Sequence, residues 1–321
     1  VNPTTSWNWG FGVGALGMFF GLIQYRLGWK HFGDAGIHAS VAPDSTEGQA
    51  ARRQLAIGVL ALVGLAGSVA ILVRQGVLSV EAVTSAFSWV YLIVVIAFFT
   101  WLFMAGQWTK EERKRLIVIV VLFAGAAVFW SAFEQAASTL NLFAAQNTRN
   151  SIFGWTFPSS WFQSVNALMI IIFAPVFAWI WISLGKRDPS SPAKFAFGLV
   201  SVGLGFVVMV GAAQASANGV LVSPMWLVLT YLLHTIGELS LSPVGLSSMT
   251  KLAPDRVKGM MMGVWFLAAS VGNLIAGGVL RFYADFTLPQ VFGAVAAFAI
   301  IAGLVMFALV LPIKRMMART D

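Results

Sequence analysis

The 321-residue chain is 59% hydrophobic and only 10% charged, with a mean hydropathy of +0.83. Soluble domains carry about a quarter charged residues, so a water-exposed globule is excluded and an integral membrane protein is implied. Cysteine is absent, which excludes disulfides and thiolate metal sites; the net charge of +8 is a matter of topology, not of a nucleic-acid partner, as the positions of the basic residues show.

The chain begins VNPTTSWNWGFG. It has no charged n-region, so no signal peptide is read there, and the later part of a longer protein is expected. A bilayer-crossing helix needs about 20 apolar residues. In chain order such runs fall at 7–27, 55–74, 80–104, 115–142, 161–184, 194–215, 223–249, 257–282 and 289–313. Period-two alternation is absent, which argues against a barrel. Polar or turn-forming stretches separate the runs, among them GKRDPSSPAK, SANGVLVSP, KLAPDRVKG and YADFTLPQ. Pro175 and Pro243 inside spans predict local kinks. Gly198 with Gly203, and Gly272 with Ala276, predict faces where helix backbones approach closely.

Arg74, Arg149 and Arg281 lie on one set of alternate connections. The remainder of the 20 Lys and Arg residues lie on the other set, from Arg26 and Lys30 to Lys314, Arg315 and Arg319. The richer side is expected to be cytoplasmic, with the C-terminus inside.

Of 12 acidic residues, ten lie in loops or at span ends and two fall deep within spans: Glu134, in VFWSAFEQAAS, and Glu238, in LTYLLHTIGELSLSP. No Lys or Arg lies deep in any span to balance them. Intramembrane carboxylates mark substrate or proton routes by default. His234, Glu238 and Ser242 follow at i, i+4 and i+8, a polar stripe on an apolar helix. Ser131, Gln135 and Ser138 form a second stripe beside Glu134, with Trp130 one turn before it. His234 suits either a proton relay or a structural role.

At these residues the chain resembles the proton-dependent oligopeptide transporter family of the major facilitator superfamily. FWSAFEQAAST (129–139) is similar to the family's seventh-helix segment, GELSLSPVGLSSMTKLAP (237–254) to its tenth-helix signature, and WGFGVGALGMFFGLIQYRLGWK (9–30) to its sixth helix. The resemblance implies an all-α membrane fold of nine transmembrane helices in this chain. Residues 1–30 would be the last helix of the N-terminal bundle and 31–54 a cytoplasmic linker. Residues 55–110 would be an inserted hairpin and 111–321 the six-helix C-terminal bundle. The first five helices, with the family's basic and acidic coupling motif, would lie outside the chain.

The resemblance further implies that Glu238 receives a peptide's amino group, with Asn166 beside it, and that Glu134 couples protons. It puts Trp130, Trp265, Phe266 and Ser242 on the pocket wall. Where some members carry an acid just before the seventh-helix glutamate, this chain has Phe133, which disfavours a two-acid mechanism there. The expected function is proton-coupled symport of di- and tripeptides across a bacterial inner membrane, with the lipid bilayer and the N-terminal bundle as partners and no cofactor. A related carrier for another small solute (an amino-acid conjugate, nitrate or a drug) is the alternative. Buried Glu238 disfavours an anion as main ligand. An intramembrane enzyme is disfavoured because no H-E-x-x-H, His/Asp cluster or Ser/Lys pair appears in the spans.

Overall fold

The computed structural model describes residues 3–31, 33, 45–104, 106–152, 154–282 and 285–317. Half of the expected linker, residues 32 and 34–44 with Asp34 and Asp44 among them, lies outside the described residues, as do Arg319 and Asp321. Among the described residues, ten α-helices follow in order: α1 (Pro3–Gly28), α2 (Thr46–Arg74), α3 (Val80–Met104), α4 (Lys110–Phe133), α5 (Thr139–Gln146), α6 (Phe162–Leu184), α7 (Ser191–Ala215), α8 (Met225–Leu252), α9 (Met261–Phe282) and α10 (Leu288–Met317). A two-stranded antiparallel hairpin, β1 (Ser151–Ile152) with β2 (Trp155–Thr156), precedes α6.

Among the described residues, eight helical stretches are long and apolar enough to cross a bilayer, from α2 to α10, with α4 and α5 counted as one. α1 is a 26-residue helix at the place of the first expected span. Its glycines, such as Gly12, Gly14, Gly17 and Gly21, dilute its apolar character. The chain divides into two compact units, residues 1–85 and 86–321. The first holds α1, α2 and the start of α3. There, Ser45 caps α2 by accepting from the Gly48 N–H at 3.0 Å, which starts the helix nine residues before the apolar run.

In the second unit, α7 is central, packing broadly on α8 and α10, while α4 packs on α9 and α6 on α8. α4 begins with a capping box: the Thr109 hydroxyl accepts from the Glu112 N–H, and the Glu112 carboxylate accepts from the Thr109 N–H at 2.8 Å. Leu168, Ile171, Trp179 and Ile182 of α6 are exposed. A helix that presents such residues outward requires apolar surroundings, lipid or another helix, because water would penalise it.

Small residues fix how closely the helices meet. A Cβ on Gly198 of α7 would sit 2.9 Å from the Gly237 carbonyl of α8, and one on Gly237 would sit 2.8 Å from the Gly198 carbonyl. The two backbones therefore touch, one residue before Glu238. Gly272 of α9 meets α4 in the same way, where a Cβ would reach 2.9 Å from the Ala127 carbonyl. Gly203 serves a different neighbour, α10, through the Ala296 carbonyl. Gly237→Ala is expected to lower stability by about 1–3 kcal/mol, the usual range for overpacking, and to reduce the unfolding midpoint in detergent. An unchanged midpoint would refute the contact.

Candidate functional site

α8 is held in register by polar contacts to α7. The Ser201 hydroxyl donates to the Leu233 carbonyl at 2.7 Å, and the Thr230 hydroxyl donates to the Gly205 carbonyl at 3.2 Å. On the opposite side α8 meets α6. There the Asn166 Nδ2 group donates both to the Glu238 carboxylate at 3.1 Å and to the Thr235 hydroxyl at 3.0 Å. Thr235 in turn donates to the Tyr231 carbonyl at 2.8 Å, which fixes its lone pairs toward Asn166. The result is a chain of orientation: backbone, threonine, amide, carboxylate. Asn166 is thus hydrogen-bonded to Glu238. Thr235 was not anticipated, although its place three residues before Glu238 puts it on the same helical face.

Glu238 is half-buried and Glu134 is partly exposed. Among the described residues, the ion pairs are Lys114–Glu111, Lys194–Asp188, Arg256–Glu112 and Lys258–Asp255, so neither intramembrane acid has a basic partner.

Glu134 sits at a break that the sequence reading did not anticipate. The expected helix 115–142 ends at Phe133, a 3-10 turn runs from Glu134 to Ala137, and α5 resumes at Thr139 after Ser138 at φ −119°, ψ −97°. Gln135, fully buried, pins this turn. Its Nε2 donates to the Ser131 carbonyl at 3.2 Å and to the Ala276 carbonyl of α9 at 3.3 Å. Its Oε1 accepts from Ser138 at 3.2 Å and Thr139 at 2.9 Å. The stripe read beside Glu134 is therefore turned toward α9 as structural pinning, not toward an open face. Gln135→Leu strands two hydroxyls and is expected to cost about 1–3 kcal/mol, seen as a lowered unfolding midpoint. Tolerance of leucine there would contradict the pinning.

His234 also departs from the stripe expected with Glu238. It is fully buried against Phe206, Phe133 and Tyr231, with ring centroids 5.1, 6.1 and 6.3 Å away. Gly205 of α7 gives it room, since a Cβ there would lie 2.5 Å from the imidazole. His234 packs between helices while Glu238 faces α6.

The aromatic residues divide. Trp130 is half-buried beside Glu134 in a cluster with Phe129 and Phe133, at 5.6 and 5.2 Å. Its indole N–H is buried without an acceptor among the described residues. Phe266 is exposed on α9. Trp265, expected on the pocket wall, is only 4% exposed and packs on Phe195 and against Gly245 of α8. Ser242 is half-buried on α8, one turn beyond Glu238. The arrangement offers a carboxylate with an orienting amide, a second carboxylate at a helix break, and aromatic surface. That set suits a cationic group and its apolar attachments.

Residues 1–309 match the family model PTR2, described as the POT family. The chain is 40% identical over 329 aligned residues to the peptide transporter YePEPT of Yersinia enterocolitica subsp. palearctica (serotype O:3, strain YE-P4), covering 99% of this chain and 64% of the relative. It is 30% identical to the di-/tripeptide transporter of Lactococcus lactis subsp. cremoris, with the same coverage of 99% and 64%. The chain thus spans slightly less than two thirds of these relatives. Its fold superposes on a crystal structure of a peptide transporter POT in complex with sulfate, with a TM-score of 0.81, 37% identity, and coverage of 97% of this chain and 62% of that one. It also superposes on a POT family transporter in complex with 5-aminolevulinic acid, with a TM-score of 0.79, 28% identity, and coverage of 95% and 63%. With eight apolar helical stretches among its described residues and a major facilitator-type bundle, this multi-pass membrane chain belongs to the POT family.

Proposed function

We propose that the chain supplies the peptide-clamping bundle of a proton-coupled symporter for di- and tripeptides. The observation that carries this reading is Glu238: a carboxylate in an apolar helix, oriented by Asn166 and Thr235, with no basic partner among the described residues. A peptide has one constant cation, its amino terminus, and side chains that vary. A carrier of many peptides clamps the constant ends and leaves the rest in loose apolar space. In this reading Glu238 takes the ammonium, and Asn166 holds both the carboxylate and the amino end. Trp130 and Phe266 border the side chains, and Ser242 adds a polar contact. Trp265 acts indirectly, by packing α8 at Gly245. The names of the relatives, a peptide transporter and a di-/tripeptide transporter, support it.

The carboxylate end of the peptide needs a base that the described spans do not hold. We assign it to an N-terminal bundle, the last helix of which is α1, with α2 and α3 as the inserted hairpin. Glu134 then serves as the proton carrier: neutralised, it releases its basic partner to the peptide carboxylate, so proton and substrate favour one state. The basic end of the bundle faces the cytoplasm of a bacterial inner membrane, the C-terminus included.

The whole protein in liposomes tests this reading. Dialanine added to one side should drive proton uptake, and N-acetyl-dialanine, which lacks the ammonium, should not. A second reading, a carrier of another amino-bearing solute, is favoured by the neighbour bound to 5-aminolevulinic acid. It predicts proton uptake with that solute and none with dialanine.

A further inference from the structure

The strongest unassigned feature lies at the end of the bundle where Lys and Arg gather, away from Glu238 and Glu134. The start of α7, the end of α8, the 3-10 turn Asp255–Met260 and the end of α10 enclose a cavity of about 630 Å³. Its polar wall is made of Ser191, Ser247, Ser248, Lys251 and Lys258. Its apolar floor includes Pro243, Val244, Leu252 and Met317. Carboxylates are absent from the lining.

Almost everything polar in this wall donates. Lys251, in the last turn of α8, makes no ion pair among the described residues. Lys258 has only Asp255, at 4.0 Å, and that aspartate is 99% exposed, where a surface pair is worth little. The Ser248 hydroxyl donates to the Ser191 hydroxyl at 2.9 Å, which leaves the Ser191 proton to point elsewhere. Ser190, the N-cap of α7, makes no side-chain cap, and Pro192 follows in the first turn. The first-turn N–H groups of Ser191 and Ala193 therefore lack an intrahelical acceptor. Lys194, by contrast, is committed: it pairs with Asp188 at 2.7 Å and lies 4.2 Å from the Trp181 ring. Lys314 and Arg315 add positive charge in the last turn of α10.

We propose that this cavity binds a phosphate-bearing anion. Two ammonium groups, the hydroxyls of Ser191 and Ser247 and a helix N-terminus form a donor-rich concavity for a tetrahedral oxyanion with several acceptor oxygens. Chloride would use few of these donors, and a carboxylate would leave several idle. The same chemistry comes from two sources, a free phosphate or the headgroup of an anionic lipid. Basic pockets between helices at the membrane boundary hold such headgroups, and the apolar floor of Pro243, Val244 and Leu252 suits the glycerol and first methylenes.

The test uses the purified whole protein in detergent, with the unfolding midpoint read by tryptophan fluorescence. Titrants are inorganic phosphate, short-chain phosphatidylglycerol, phosphatidylcholine of equal chain length, and potassium chloride at matched ionic strength. A saturable rise with phosphate or phosphatidylglycerol, beyond both controls, is expected. Lys251→Gln combined with Lys258→Gln should abolish it, while Lys251→Arg keeps it. Should the double variant not purify, each single Gln variant should shift the half-saturation point severalfold upward. A rise with phosphatidylglycerol alone identifies a lipid headgroup; a rise with inorganic phosphate of equal size identifies a soluble anion. No rise above the chloride control with either titrant, or an equal rise in the Gln variants, overturns the proposal. Dialanine binding measured on the same samples reports on the peptide site independently.

Discussion

Glu238→Ala is expected to remove dialanine binding from the whole protein, with a loss of about 2–5 kcal/mol for a charge-assisted contact in a dry pocket. Glu238→Gln should fall nearly as far. The amide keeps the shape of the side chain and one acceptor for Asn166, yet offers no charge to the ammonium. The comparison is informative because Asn166 donates to Glu238 and Thr235 together. If orientation alone mattered, Gln would bind almost normally, since the network survives. If charge matters, Gln and Ala converge. Calorimetric titration of dialanine into both variants decides it, and an unchanged dissociation constant in either would overturn the assignment of the amino end to Glu238.

Glu134→Gln should separate coupling from binding. The amide mimics a permanently neutral carboxyl. The variant should still exchange peptide for peptide, because counterflow requires only binding and reorientation. It should lose uphill accumulation driven by a pH gradient, because proton occupancy no longer alters either state. The expected loss is complete for accumulation and slight for exchange. Glu134 opens a 3-10 turn in place of a regular helix, so a local rearrangement there has backbone room to move α5 relative to α4. Both transport modes are measured on one liposome preparation. Retained accumulation would sink the coupling role, and loss of exchange as well would reassign Glu134 to substrate positioning.

Chain composition, span lengths and the isolation of two acids were legible without a fold, because a bilayer imposes them residue by residue. Each span must be apolar over about 20 residues, and any carboxylate within one stands out. The close approach near Gly198 was legible for the same reason: small residues are what let backbones touch. Several features were decided only by tertiary structure. His234 and Glu238 are four residues apart, about 40° around the helix. That offset suffices for Gly205 to receive one ring while α6 receives the other side chain. Trp265 and Phe266 are neighbours about 100° apart, and only the packing of α7, α8 and α9 selects which of them turns inward. The break at Glu134 has no proline or glycine to announce it. At that break Gln135 bonds a carbonyl on α9, 141 residues away in the chain, a partner that no local reading supplies. Local sequence set which side chains were available at each depth. The partner across the helix interface, remote in the chain, set which way each one faced.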